Sequence, residues 1–138
     1  MKEKLCALAK QAMKNAYAPY SKFKVGAALL CSDGSIYTGC NIENSSFTPT
    51  VCAERVALFK AVSEGKREFS AIAVCGGIDG VLTEKFCHPC GVCRQVLSEF
   101  CREDFKIYVV SEDAVKEYKF SDLLPFSFEI DIPEESNS

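Results

Sequence analysis

The chain has 138 residues, enough for one domain that buries a stable core of its own. Apolar residues make up 48% and charged residues 25%, a balance that excludes a disordered chain. A net charge of -3 and a pI near 5.2 argue against nucleic-acid partners, which need a basic face, and suit a small neutral substrate better.

The start, Met1-Lys-Glu-Lys-Leu5, leads into a lysine-bearing stretch with no apolar region of signal-peptide length. No apolar run approaches the roughly 20 residues needed to cross a bilayer. A cytoplasmic protein without membrane contact is expected. Residues 3–16 carry Leu5, Leu8, Ala9, Ala12 and Ala16 at helical spacing, and Ala18-Pro19-Tyr20-Ser21 breaks that helix. Val25–Cys31 reads as a buried strand, Ser32-Asp33-Gly34-Ser35 as a hairpin turn, and Ile36–Cys40 as the returning strand. After an irregular stretch, Val51–Glu64 reads as a helix stopped by Gly65. Apolar residues nearly surround it, so a largely buried helix is expected. Ala71–Cys75 is a third strand closed by Gly76-Gly77, and Pro89 opens a helix over Cys90–Arg102. Ile107–Val110 and a short Glu117–Phe120 complete the strands. One α/β domain over 1–132 follows, with helices on both sheet faces and a mobile polar tail over 133–138.

Nine cysteines in a reducing compartment read first as metal ligands. Two segments carry the chemistry: Val51-Cys52-Ala53-Glu54-Arg55 and Pro89-Cys90-Gly91-Val92-Cys93-Arg94-Gln95. Each cysteine group stands where a helix begins. A first helical turn puts the Cys90 and Cys93 sulfurs on one side, and Cys52 completes a three-thiolate face. Three protein ligands on zinc leave the fourth position open for water, the arrangement of a catalytic site. Three thiolates on a divalent metal leave net negative charge, which opposes deprotonation of that water. The helix N-termini, with about half a positive charge each, and Arg55 offset it. Glu54, two residues beyond Cys52, can then accept the proton of that water and pass it on.

These segments resemble the zinc signatures of the small homotetrameric cytidine deaminases, and the similarity runs from Ala18-Pro-Tyr-Ser to Leu123-Leu-Pro-Phe-Ser-Phe128. The resemblance implies a three-layer α/β/α fold with a mixed five-stranded sheet and one Zn²⁺ on Cys52, Cys90 and Cys93. It assigns Phe23, in Pro19-Tyr-Ser-Lys-Phe23, to packing on the pyrimidine. Asn41 and Glu43, in Gly39-Cys-Asn41-Ile-Glu43-Asn44, match residues that bind ribose hydroxyls. Residues two apart in extended chain point the same way, which supports that pair. The backbone at Ala53 reads the base, and Phe128 enters a neighbouring subunit's pocket, which implies a homotetramer with shared sites. Phe47 stands where tyrosine is common, so a hydroxyl contact is lost there, and His88 stands where a small residue is usual.

The implied reaction is hydrolysis of cytidine or deoxycytidine to the uracil nucleoside and ammonia, as in pyrimidine salvage. Zinc-bound hydroxide attacks C4, and Glu54 protonates N3 and then assists the amine. Other readings remain open from the residues alone. Cys87 or His88 would close the metal site and make a zinc-stapled interaction module, although Pro89 aims His88 away. A redox Cys-x-x-Cys leaves Cys52-Ala-Glu unexplained. A blasticidin S-type deaminase would look similar. Cys6, Cys31, Cys40, Cys75 and Cys101 are expected to be small buried hydrophobes.

Overall fold

The computed structural model describes residues 1–83 and 91–123, and one five-stranded sheet organises them. Its strands are β1 (Phe23–Cys31), β2 (Ile36–Cys40), β3 (Phe69–Ile78), β4 (Lys106–Val110) and β5 (Val115–Lys119), in the order β2-β1-β3-β4-β5. β1 pairs antiparallel with both β2 and β3, and β4 pairs antiparallel with β5. Only β3 and β4 run parallel. Parallel neighbours need a crossover, and α3 (Gly91–Ser98) lies in that connection.

The period-two alternation of side chains explains the layers. Ala27, Leu29 and Cys31 of β1 share one face with Ile72 and Val74 of β3 and Ile107 and Val109 of β4. Against it pack Ala57, Leu58 and Ala61 of α2 (Ala53–Ser63) and Leu97 of α3. The opposite face, with Ala28, Ala73, Cys75, Tyr108 and Val110, receives Leu5, Cys6, Ala9 and Met13 of α1 (Lys2–Met13). The fold is therefore the three-layer α/β/α arrangement with a mixed sheet, as expected. Gly26 and Gly39 let the helices sit close. A Cβ on Gly26 would meet the backbone of Ala9 and Met13, and one on Gly39 would lie 2.5 Å from the carbonyl oxygen of Ala53.

Several boundaries differ from expectation for identifiable reasons. α1 stops at Met13 because Lys14, Asn15 and Ala16 donate to carbonyls three residues back, tightening the last turn. β3 runs through Gly76 and Gly77, which pair with Val25 and Lys24 instead of ending the strand. At Gly77 a side chain would strike the carbonyl of Val81, so glycine here admits the returning loop. α3 ends at Ser98, whose Oγ donates to the Gln95 carbonyl at 2.5 Å. The fifth strand begins earlier, and Phe120 opens the four-residue α4 (Phe120–Leu123). Gly65 does terminate α2, at φ 94°. That helix is buried on one side only, since Phe59 remains 49% exposed.

Candidate active site

Strand register brings the predicted residues to one end of the sheet. Phe23 opens β1 opposite Ile78, near the end of β3, and Gly26 pairs with Cys40, the last residue of β2. Asn41 and Glu43 follow at once. Ile42 then exchanges both backbone hydrogen bonds with Val51, each at 3.0 Å, which sets Cys52 beside that segment. This is the carboxyl end of the parallel pair β3 and β4, where open α/β sheets hold their ligands.

Cys52 is the N-cap of α2, in extended geometry at φ -79° and ψ 156°. Arg55 lies on the next turn of chain and donates from its terminal nitrogen to the Cys52 sulfur at 3.6 Å. The same guanidinium also feels the charge of Cys93, on the first turn of α3. One cation therefore spans thiols from two helices. Its Nε is buried without a hydrogen-bond partner among the described residues. Two helix N-termini and a guanidinium around a pair of thiols form a positive cradle that stabilises thiolates. Sulfur donors so arranged fit a zinc ion, which counters their charge and takes tetrahedral sulfur ligands. Cys90, the third expected ligand, lies outside the described residues, as do Cys87, His88 and Phe128.

Glu54 is 4% exposed, in the first turn of α2. Burial pushes its carboxyl up to about 7, with the nearby Cys52 adding in the same direction and Arg55 opposing. A carboxyl that titrates near neutrality both takes and returns a proton at useful rates. Ala53 beside it is fully buried. The remaining cysteines behave differently: Cys6, Cys31 and Cys75 are buried, Cys40 and Cys101 half-buried, and burial pushes the Cys101 thiol to about 12.

The side chains of Asn41 and Glu43 are held by their own chain. The Asn41 amide donates to the Phe23 carbonyl and accepts from the Val25 N–H, both at 2.8 Å. Each end of the amide keeps one further hydrogen-bonding position. Glu43 Oε1 accepts from the N–H groups of Tyr20 and Ser21 at 3.0 and 3.1 Å, and Oε2 accepts from the Ser21 hydroxyl. Ser21 thus enters the site, which the sequence does not show: Ala18-Pro19-Tyr20-Ser21 reads there as a helix breaker and a family motif, with no role for the serine itself. Phe47 sits at φ 63°, 70% exposed, with its ring edge-on to Tyr20 at 6.2 Å.

Comparison with known proteins agrees with this fold. Residues 1–109 match the family model described as the cytidine and deoxycytidylate deaminase zinc-binding region. The chain is 50% identical over 127 residues to a cytidine deaminase of Sporosarcina psychrophila, covering 91% of this chain and 90% of that one. A solved structure of cytidine deaminase from Burkholderia pseudomallei superposes with a TM-score of 0.85 at 44% identity, covering 93% and 99% of the two chains. A blasticidin-S deaminase of Bacillus cereus is more distant, at 29% identity over 113 residues, covering 78% and 79%. With residues 1–109 matching the family model and half of 127 residues identical to such a relative, the chain belongs to the cytidine and deoxycytidylate deaminase family.

Proposed function

We propose that the chain catalyses hydrolytic deamination of cytidine and deoxycytidine, giving uridine or deoxyuridine and ammonia. The observation that carries this reading is the buried Glu54 carboxyl beside two thiols that share one arginine. Cys52, Cys93 and Cys90 would hold the zinc, one per chain. When bound, that ion supplies a Lewis acid that lowers the pKa of water at the site.

The chain's own residues do the rest. Arg55 and the two helix N-termini keep the sulfurs ionised and limit the negative charge felt by the water. Glu54 accepts a proton from the water as it adds to C4 and delivers it to N3. It then passes the second proton to the amine, which leaves as ammonia. General acid-base work of this kind contributes about 10²–10⁴ in rate. Phe23 is the platform for the pyrimidine, Asn41 and Glu43 hold sugar hydroxyls, and the backbone at Ala53 reads the base. Phe47 offers apolar contact without a hydroxyl.

Exposed Tyr17, Tyr20, Phe47 and Phe59 support a homotetramer in which Phe128 of one subunit completes the site of another. No described helix is long and apolar enough to cross a membrane. A cytoplasmic role in pyrimidine salvage, by one deaminase domain over 1–132, completes the reading. The test is the loss of ultraviolet absorbance when protein and cytidine are mixed. Wild type is expected to turn over, and Glu54→Gln to keep its zinc while losing at least about a hundredfold in rate. An active Glu54→Gln variant would remove the proton shuttle. Turnover of blasticidin S in preference to cytidine would reassign the substrate.

A further inference from the structure

The segment between α1 and β1 is built around one carboxylate. Ser21 Oγ donates to Glu43 Oε2, and the same Ser21 oxygen accepts the N–H of Phe23 at 3.0 Å. Tyr20 and Ser21 present consecutive backbone N–H groups to Glu43 Oε1. The turn is closed on either side. Lys22 donates from its backbone to the Ala18 carbonyl at 3.0 Å, and Tyr17 and Glu43 are joined by a backbone bond of 2.8 Å. Lys22 itself sits at φ 63°, a left-handed conformation that a lysine rarely adopts without such support.

A carboxylate has about four lone-pair positions, two on each oxygen. The described contacts fill both on Oε1 and one on Oε2. The position left for a ligand is therefore on the oxygen that Ser21 holds. Without the Ser21 hydroxyl, Oε2 loses its one partner and the carboxylate is held at Oε1 alone, and the N–H of Phe23 loses its acceptor.

We propose that Ser21 is a positioning residue for nucleoside binding, fixing through one hydroxyl both the free acceptor of Glu43 and the backbone at Phe23. The inference rests on the reading of Glu43 and Phe23 as sugar and base ligands. It assigns to Ser21 the coupling of the two, so that the sugar and ring contacts are presented as one rigid unit. Ser21 touches no reacting atom, and its loss weakens binding instead of slowing chemistry.

The hydroxyl of Ser21 is also the chief reason that Glu43 is held below the usual carboxylate range, with the Tyr20 and Ser21 amides and the charge of Lys22 acting in the same direction. A depressed carboxylate keeps its clamp above the ordinary range and loses it only as pH falls through the depressed value. Removing the hydroxyl moves that loss to higher pH.

The test compares wild type, Ser21→Ala and Ser21→Thr with cytidine and deoxycytidine across pH, and follows the Glu43 carboxyl by nuclear magnetic resonance. Ser21→Ala is expected to raise KM about tenfold, the size of a hydrogen bond to a charged group, with kcat little changed. The acid rise of KM and the Glu43 titration should both move to higher pH, and Ser21→Thr should restore both. An active wild type whose KM is unchanged in Ser21→Ala overturns the positioning role alone. Equal losses in kcat and KM with a lower Tm, unrescued by threonine, overturn it in favour of a merely structural part. A wild type that turns over neither nucleoside overturns the reading of the site, and the role of Ser21 with it.

Discussion

Asn41 does two jobs at the scale of a single residue. Its amide supplies a donor to the Phe23 carbonyl and an acceptor to the Val25 N–H, pinning the start of β1. The residue is 9% exposed, so these groups have little access to water as an alternative. Asn41→Asp keeps the shape and the acceptor but removes the donor, and it sets a carboxylate against a carbonyl oxygen. The expected cost is about 1–3 kcal/mol, read from the urea midpoint at constant m. Asn41→Ser, too short to span both partners, should cost a similar amount. The sequence shows an asparagine at the right distance from Glu43, but not that both side chains are gripped by the chain around residues 20–25. That grip depends on β1 and β2 lying side by side, a contact between segments far apart in sequence.

Elements were legible where periodicity was strong. Ile36–Cys40 as a strand and Gly65 as the stop of α2 needed only local rules. Gly76 and Gly77 misled the reading of β3, because a glycine pair usually signals a turn. Here it signals the passage of the chain at Val81 against a strand that β1 holds in place. The same close approach gives Gly39 its importance. A methyl group there would meet the Ala53 carbonyl at 2.5 Å and the Ala57 nitrogen at 2.6 Å, both rigid helix backbone. Gly39→Ala should push α2 away from β2, displacing Cys52 and Glu54 at its mouth. Overpacking of this kind costs about 1–3 kcal/mol, and turnover should fall further than stability predicts. A thermal melt run beside a cytidine assay checks both. An unchanged rate would show that α2 can shift without carrying its first turn along.

The whole molecule depends on joining two helix ends. α2 and α3 come from different parts of the chain, and their first turns meet over one arginine. A zinc ion across Cys52, Cys90 and Cys93 would tie them together, so metal should support the fold as well as the chemistry. Treatment with a strong chelator is expected to abolish turnover and lower Tm, with recovery on adding about one zinc per chain. Elemental analysis of the purified protein checks the count. The exposed aromatics around the site make the second prediction at this scale. Sedimentation should give a tetramer, and removal of the chain beyond residue 123, which takes Phe128 with it, should raise KM in every subunit.

The layers and the candidate thiols and glutamate were legible in the chain, because these follow from local patterns, while the reaction came from likeness to a family. Alternation sets which side of a strand is buried, and residue type sets what a site can bind. Tertiary structure decided where the glycines matter and which helix first turns meet. It also decided the raised titration of Glu54, which comes chiefly from burial in the folded chain. Ser21 belongs to the same group. Its partner Glu43 is 22 residues away, and only the closing of β1 against β2 turns a helix-breaking serine into the holder of a carboxylate.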